Sequence, residues 1–363
     1  MSIKEIFEKF NTSEFQFTGK IFYDEPMARH TTMRVGGNAK IFVEPKNEHS
    51  LLTLLSFINE NNLPYFILGG GSNIVVSDKG LEKIVISMNA LNDISLIEKN
   101  AEQKIFVQAG CTMARLVNFC VENEIAGFEE FAGLPGTVGG ALFMNARSFE
   151  KEIAECVDSI EFVDLENDSE IQNPPTPDGS GASAMFQHRA SGTRARNDFC
   201  ARVLKPRTAG LPKQHRTKKI ERKNYAFEKK DWTYKKSPFQ NRAWLVTAAI
   251  FHGVGRGTKF EMQKKCESFV EARKAKGHFD FPSAGSVFKN NHEFGKPSGK
   301  IIDEAGLRGF AIGGAEIAQF HGNFILNKNH ASAKDVRELV ELAKKVVAQK
   351  YGFHLDCEII FVD

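Results

Sequence analysis

The chain has 363 residues, 42% of them hydrophobic and 10% aromatic, which provides enough apolar surface for two or three folded domains. No run approaches about eighteen consecutive apolar residues, and the N-terminus lacks a charged-then-apolar signal layout, so we expect a cytoplasmic protein with no membrane insertion. The six cysteines form no C-x-x-C pair, which favours reduced thiols and no bound metal, and the formal net charge is only +3.

The first part of the chain leads up to a segment of small residues. Residues 1–22 predict an amphipathic helix and a lead-in, and a short strand is predicted over residues 40–43. Between them lies the sequence T-T-M-R-V-G-G-N-A over residues 31–39. Taken alone, this segment is either an ordinary turn or part of a ligand site.

The most informative stretch is a run of three glycines directly after a predicted strand over residues 65–68. It reads Gly69-Gly70-Gly71-Ser72-Asn73. Glycines carry no Cβ atom, and successive N–H groups in such a turn converge on an anion such as a diphosphate. The run is neither the Rossmann G-x-G-x-x-G nor a nucleotide P-loop, and taken alone it is more often a tight turn between two strands.

A second glycine-rich element follows predicted strands over residues 83–87 and 104–108 and a predicted helix over residues 113–123. It reads F-A-G-L-P-G-T-V-G-G-A over residues 131–141. Thr137 can cap a short helix that opens with two glycines, and a helix start presents unpaired N–H groups that suit a phosphate. Two such elements in one chain predict a dinucleotide that is clamped from two sides.

Residues 172–223 differ from the rest of the chain in composition. They contain twelve Lys/Arg against three acids, a net charge of +9 (12 − 3), so the remaining chain carries −6 (3 − 9). The segment opens with P-P-T-P-D-G-S-G and is nearly free of Ile, Leu and Val, so it cannot bury enough apolar surface to order itself. A flexible insertion and a frame-shifted reading of the gene both explain it. A nucleic-acid-binding arm is a third alternative, but no aromatic interleaving supports it and we expect no nucleic-acid partner.

The C-terminal third carries a serine-rich loop, a clear helix and a final strand. The loop reads F-P-S-A-G-S-V-F-K-N over residues 281–290. The helix is capped by Ser332 and ends before Gly352. The strand predicted over residues 356–362 carries Glu358 among apolar neighbours, so this carboxylate lies on an exposed face or has a function.

The order of these motifs resembles that of the UDP-N-acetylenolpyruvoylglucosamine reductase family. T-M-R-V-G-G, G-G-G-S-N and A-G-L-P-G-T-V-G-G-A-x-x-M-N-A are followed by the serine loop, by G-K-I-I-D and by a glutamate near the end. The first two motifs are shared with other flavoproteins of the vanillyl-alcohol-oxidase type, whereas the third is much more specific. The resemblance covers about residues 24–166 and 225–363.

This resemblance implies an α+β fold with an FAD-binding unit of the vanillyl-alcohol-oxidase/PCMH-like type. After a lead-in over residues 1–23, the FAD-binding region spans residues 24–253 and is interrupted by the basic segment 172–223. An α+β substrate-binding domain follows over residues 254–363. The implied cofactors are FAD and NADPH, and the implied partner is a UDP-sugar nucleotide of peptidoglycan precursor synthesis; the oligomeric state is left open.

The resemblance also assigns three catalytic residues. Ser286 is the expected proton donor, and Glu358 is expected to act on the carboxylate side of the enolic intermediate. The family's arginine in a Y-R-x-S motif is Lys235 here, which keeps the charge but loses the planar two-pronged grip on a carboxylate. Either Lys235 suffices at some loss of rate, or another cation such as Arg242 substitutes for it, or the junction with the basic segment has disturbed this region.

The remaining site residues are assigned to the two ligands. Those expected to hold FAD are Arg34, Gly36, Gly69, Gly70, Gly71, Ser72, Asn73, Gly133, Pro135, Gly136, Thr137, Gly139, Gly140 and Asn145. Those expected to contact the sugar nucleotide are Tyr234, Lys289, Asn290 and Lys300. Taken alone, the lysines would more often be solvated surface side chains.

Two other functions remain open from the sequence. One is an oxygen-using FAD oxidase of the same fold, which would lack the serine loop and Glu358. The other is a catalytically weak nucleotide-binding protein, which the replacement at Lys235 and the basic segment make conceivable. Only about 49 residues separate Ser237 from Ser286, so the chain resembles the shorter of the family's two types, without the inserted tyrosine loop.

Overall fold

The computed structural model describes residues 2–10, 12–99, 102–165, 220 and 222–363. Most of the basic segment predicted over residues 172–223 therefore lies outside the described residues. The α-helices of the described ranges are α1 (Ile3–Phe7), α2 (Glu48–Glu60), α3 (Met113–Glu122), α4 (Val138–Phe143), α5 (Lys259–Ala275), α6 (Ser298–Glu304) and α7 (Ala333–Tyr351). None of these helices is long and apolar enough to cross a membrane.

The strands of the same ranges form three larger sheets and three two-stranded pairs. They are β1 (Gly19–Pro26), β2 (Asn38–Pro45), β3 (Tyr65–Leu68), β4 (Ile74–Val76), β5 (Leu81–Ser87), β6 (Ile94–Lys99), β7 (Glu102–Gln108), β8 (Ile125–Ala126), β9 (Arg147–Ser148), β10 (Lys151–Glu152), β11 (Val157–Asp164), β12 (Arg222–Ala226), β13 (Trp244–Phe251), β14 (Gly255–Arg256), β15 (Ser283–Ser286), β16 (Ala311–Ile312), β17 (Ala315–Ile317), β18 (Phe324–Asn327) and β19 (Ile360–Val362). This mixture of helices and strands confirms the predicted α+β class.

The first sheet has the strand order β1-β2-β5-β3, with β1 antiparallel to β2 and the other pairs parallel. Strand β5 is a run of Val and Ile that is buried along nearly its whole length, as in parallel sheets covered on both faces. Helix α2 packs into the same core through Leu51, Leu54 and Ile58. Because β3 is the edge strand, the glycine turn that follows it lies at the edge of the sheet.

The second sheet is antiparallel throughout, in the order β12-β11-β13-β7-β6. Its edge strand β12 pairs with β11 from Ser159 opposite Ala226 to Val163 opposite Arg222. The strand therefore takes in the last two residues of the predicted basic segment. The Arg222 guanidinium lies 2.9 Å from the Glu161 carboxylate, which adds a cross-strand ion pair.

The third sheet, β15-β18-β17-β16, is covered by α7. The apolar stripe of α7 includes Val336, Leu339 and Val340, all fully buried. Ser332 and Asp335 form a capping box at its start, and Gly352 ends it in the left-handed conformation. These ends confirm the helix predicted from the sequence.

Strand pairing and side-chain hydrogen bonds join the N-terminal and C-terminal parts of the chain. Strand β4, which follows the glycine turn, pairs in parallel with β19, so that Ile74 lies opposite Ile360. The Asp78 carboxylate accepts hydrogen bonds from the amides of Ala333 (2.8 Å) and Lys334 (3.0 Å) at the start of α7. The glycine turn and the region around Glu358 are consequently held side by side.

Candidate functional site

A cleft of about 2800 Å³ runs between the sheets. It is several times larger than an ordinary small-molecule pocket of about 300–1000 Å³, so it has room for more than one ligand. Among its lining residues, the charged side chains are Arg29, Arg34, Arg147, Lys223, Lys235, Lys236, Arg242, Arg273, Lys276 and Lys289 against Asp164, Asp280 and Glu358. Ten cations against three carboxylates attract anionic ligands.

The glycine turn forms one wall of this cleft, and close packing between two chain segments explains its glycines. A Cβ atom added to Gly70 would lie 2.5 Å from the Gly136 Cα, and one added to Gly69 would lie 2.7 Å from the Thr137 hydroxyl. Gly71 has φ +63, in the left-handed region that favours glycine. The two glycine-rich elements therefore touch each other directly.

The backbone amides of this turn take no part in the hydrogen bonding of the fold. Within the part of the chain that the structure describes, none of the five N–H groups from Gly69 to Asn73 donates to a protein acceptor. An unpaired N–H group is costly unless it meets water or a ligand. Consecutive free amides at the wall of a basic cleft form the kind of nest that binds a diphosphate.

The start of α4 differs from the prediction made for it. Thr137 caps the helix, as expected, by accepting from the Gly140 amide at 3.5 Å. However, the Val138 amide donates to Cys111 and the Gly139 amide to Ala109, both at 2.8 Å. Because these N–H groups already have protein partners, the prediction of unpaired amides for a phosphate at this helix start is wrong.

The serine loop and Glu358 lie next to each other on another wall. Ser286 ends β15 and is partly exposed to the cleft, and the Glu358 amide donates to the carbonyl of the following residue, Val287, at 2.8 Å. Gly285 has φ +75, and an added Cβ would meet no atom within 4 Å. This backbone therefore borders open space where a ligand can approach Ser286.

Lys235 completes this wall from a third part of the chain. Its ammonium Nζ lies 2.6 Å from the Glu358 Oε1 atom, and the two side chains are only 14% and 11% exposed. An ion pair this enclosed orients both groups, because leaving either one alone would strand a charge in a poorly solvated place. All three predicted catalytic residues thus line the same cleft.

Comparison with known proteins agrees with this geometry. Residues 277–362 match the family model described as UDP-N-acetylenolpyruvoylglucosamine reductase, C-terminal domain, and residues 39–173 match one described as FAD binding domain. A UDP-N-acetylenolpyruvoylglucosamine reductase of Treponema denticola is 38% identical over 97% of this chain and 96% of its own length. The chain belongs to the UDP-N-acetylenolpyruvoylglucosamine reductase family. The family resemblance predicted from the motifs is thereby confirmed.

Further relatives support the same membership. The enzyme of that name from Caldanaerobacter subterraneus subsp. tengcongensis is 32% identical over 95% of this chain and 94% of its own. The crystal structure of UDP-N-acetylenolpyruvylglucosamine reductase from Thermus caldophilus covers 96% of this chain and all of its own, with 25% identity and a TM-score of 0.64. As a member of this family with an FAD-binding domain, the chain is an FAD-containing oxidoreductase.

The cleft residues fit the FAD that this family uses. Five free amides at the glycine turn can meet a diphosphate, and Arg34, held at φ +56 beside this turn, lines the same cleft. An added Cβ at Gly140 would meet only the Thr137 hydroxyl at 3.6 Å, so the backbone there faces open space. The remaining predicted FAD residues that line the cleft are Gly133, Pro135, Gly136, Thr137 and Gly139.

Two predicted cofactor residues lie elsewhere. Gly36 packs against strand β4, where an added Cβ would lie 2.8 Å from the Val76 Cβ. Asn145 is fully buried, and its side-chain amide donates to Glu152 and to the Thr233 carbonyl. Neither residue lines the cleft, so both shape the walls rather than contact a ligand there.

The predicted substrate residues divide in the same way. Lys289 lines the cleft, whereas Tyr234, Asn290 and Lys300 do not. The Asn290 amide donates to the Tyr234 hydroxyl oxygen at 3.5 Å, and its side chain accepts from the Ser298 amide at the start of α6. The structure therefore brings Tyr234 and Asn290 together, next to the catalytic wall.

Sequence reasoning missed a basic group at the end of α5. The Arg273 guanidinium donates to the Ala132 carbonyl (3.2 Å) and the Ser148 hydroxyl (2.6 Å), and burial lowers its pKa. Burial also lowers the pKa of His278 to about 4, with nearby Arg273 adding to the effect. The available signal was the R-K-A-K run over residues 273–276, which forms the last turn and C-cap of α5 and precedes the serine loop.

Proposed function

We propose that the chain uses NADPH to reduce the enolpyruvyl group of UDP-N-acetylenolpyruvoylglucosamine, with Ser286, Glu358 and Lys235 as its catalytic residues. The product is UDP-N-acetylmuramate, a precursor of peptidoglycan. The observation that carries the proposal is that these three residues line one basic cleft, where Lys235 and Glu358 form an ion pair and where the unpaired amides of the glycine turn also lie.

The reaction saturates a carbon–carbon double bond with a hydride and a proton. The chemistry that FAD supplies when bound is acceptance and delivery of hydride, which no side chain can provide. The Gly69–Asn73 amides and Arg34 would hold the diphosphate of FAD, and the other cations of the cleft would attract the substrate's diphosphate and carboxylate.

The side chains manage charge and the proton. As hydride reaches one vinyl carbon, negative charge spreads into the substrate carboxylate, and the Lys235 ammonium stabilises that charge. The Ser286 hydroxyl gives its proton to the neighbouring carbon and regains one from solvent. Glu358, placed beside Lys235 and the serine loop, assists on the carboxylate side of the enolic intermediate.

Anaerobic flavin absorbance tests this function. In the FAD-loaded protein, NADPH should bleach the flavin, and subsequent addition of the enolpyruvyl sugar nucleotide should restore its colour without oxygen. Recovery that requires oxygen and ignores the sugar nucleotide would instead identify an FAD oxidase. That alternative is less supported, because the relatives that match almost the whole chain are reductases by name.

A further inference from the structure

Asn73 ends the glycine turn and contacts the backbone of Glu358. Its side-chain Nδ2 atom donates to the Glu358 carbonyl oxygen at 3.1 Å, across 285 positions of sequence. Its own carbonyl accepts from the Ile360 amide at 2.9 Å. One residue of the glycine turn therefore holds the backbone that directly follows the Glu358 side chain, at the Glu358 carbonyl and the Ile360 amide.

These bonds complete the anchoring of Glu358. Its amide is bound to Val287, beside Ser286, and its carbonyl is bound to Asn73. The ladder between β4 and β19 begins only at the pair Ile74 and Ile360, so it does not itself hold Glu358. Within the described residues, the Asn73 side chain is the contact that fixes the carbonyl of Glu358.

We propose that Asn73 is a positioning residue that aims the Glu358 carboxylate at Lys235 and the substrate, in addition to its place in the FAD turn. The inference rests on the proposed function, in which Glu358 acts on the enolic intermediate. An asparagine suits this position because its side-chain N–H can donate to a carbonyl. Aspartate has the same shape but only accepts when ionised, so it would face the Glu358 carbonyl with no hydrogen to share.

The first experiment measures the two half-reactions of Asn73→Ala and Asn73→Asp in the FAD-loaded protein. Reoxidation by the sugar nucleotide should slow by about fivefold to tenfold more than flavin reduction by NADPH does, which is the scale of one lost hydrogen bond. Asn73→Asp should be no better than Asn73→Ala. An Asn73→Asp variant with wild-type reoxidation would overturn the proposal.

A double-mutant cycle with Glu358→Gln separates positioning from flavin binding. If Asn73 acts through Glu358, Asn73→Ala should cause no further loss once Glu358 is already replaced. Ser72→Ala is the matched control, because Ser72 shares the turn but contacts the Pro135 carbonyl at 3.4 Å. The reductions in reoxidation rate caused by Ser72→Ala and Glu358→Gln should multiply in the double variant. If the reductions caused by Asn73→Ala and Glu358→Gln also multiply, the inference is contradicted.

Two further results keep the test decisive. If Glu358→Gln alone leaves reoxidation unchanged, the role given to Glu358 under the proposed function is wrong, independently of Asn73. If Asn73→Ala fails to retain FAD, hydrogen–deuterium exchange is measured on the apoproteins of wild type and variant. Faster exchange over residues 357–360 in the variant supports the proposal that Asn73 holds this backbone, and unchanged exchange overturns it.

Discussion

Lys235 combines an uncommon backbone conformation with a largely buried ion pair. Its φ of +56 lies in the left-handed region, which costs an ordinary residue about 1 kcal/mol or more. Gln240 holds the backbone there by donating to the Lys235 carbonyl at 3.0 Å and to the Phe143 carbonyl at 2.8 Å. The fold thus maintains a strained residue in order to place an ammonium group against Glu358.

We expect Lys235→Met to destabilise the protein more than the double variant Lys235→Met/Glu358→Gln. The single change leaves the Glu358 carboxylate without its partner, at a cost of up to about 3 kcal/mol, whereas the double change removes both charges. Denaturant unfolding of the two variants and of Glu358→Gln closes the cycle. Purely additive losses would show that the two groups do not interact.

Ser286→Ala should separate the two half-reactions. Flavin reduction by NADPH needs no proton from this hydroxyl and should persist, while reoxidation by the sugar nucleotide should fall by about 10²- to 10⁴-fold. The matched control is Ser283→Ala, at the other end of β15, which should keep both half-reactions near wild type. Equal losses in both half-reactions would assign Ser286 to flavin placement instead of proton donation.

His278 should make the protein less stable in mild acid. Burial, followed by the charge of Arg273, lowers the pKa of this imidazole from 6.5 to about 4, so the folded state favours its neutral form. Its contribution is complete above pH 6.5 and is lost as pH falls from 6.5 towards 4. The melting temperature of His278→Gln should therefore fall less between pH 7 and pH 4.5 than that of wild type. Parallel pH profiles would contradict the assignment.

The glycines of the two glycine-rich segments serve different purposes: Gly70 allows close packing of the backbone, whereas Gly140 leaves space in the cleft. Gly70→Ala should lower the melting temperature of the apoprotein. Its new methyl carbon would lie 2.5 Å from the Gly136 Cα, so the turn would have to move away. The methyl of Gly140→Ala would contact only the Thr137 hydroxyl, at an ordinary 3.6 Å, and alanine improves helix propensity in α4. This change should therefore preserve the fold and lower only the retention of FAD. Melting curves and FAD content per protein distinguish the two, and equal melting losses would refute the distinction.

Local signals identified several elements accurately. The strand predicted over residues 65–68 is β3, the helix predicted over 113–123 is α3, and Ser332 caps α7. These elements depend on side-chain periodicity and capping hydrogen bonds within a few residues, which a sequence displays directly. The strand predicted over residues 356–362 begins too early: in the structure, β19 begins only at Ile360, so Glu358 precedes the strand.

The candidate site was predictable in its residue types but not in its contacts. Motif resemblance singled out Ser286, Glu358 and Lys235, yet nothing local indicates that Lys235 meets Glu358 at 2.6 Å. The first amides of α4 donate hydrogen bonds to the carbonyls of Cys111 and Ala109, and only the tertiary fold brings these carbonyls to the helix. Pairing between distant segments is therefore the part that sequence patterns leave undetermined.

The basic segment joins two neighbouring strands of the second sheet. Val163 at the end of β11 pairs with Arg222 at the start of β12, so the connection leaves and returns at adjacent positions. Replacing residues 167–219 by a short glycine-rich turn should preserve FAD binding and both half-reactions, since their composition offers little apolar burial.

The control for this deletion extends it through β12. Replacing residues 167–226 removes the edge strand of the second sheet, together with the Arg222–Glu161 ion pair, and should lower the melting temperature. If the shorter deletion unfolds the protein as well, the view of residues 172–223 as an insertion is wrong.

The β4–β19 pair also ties completion of the site to the order in which a ribosome makes the chain. Asn73 and Glu358 are 285 positions apart, so at about 5–20 residues per second the second emerges roughly 14–57 s after the first. Throughout that interval the nascent β4 edge has no β19 to cover it, and an uncovered edge can pair with other chains. Placement of the Glu358 carboxylate against Lys235 is consequently a late event of biosynthesis.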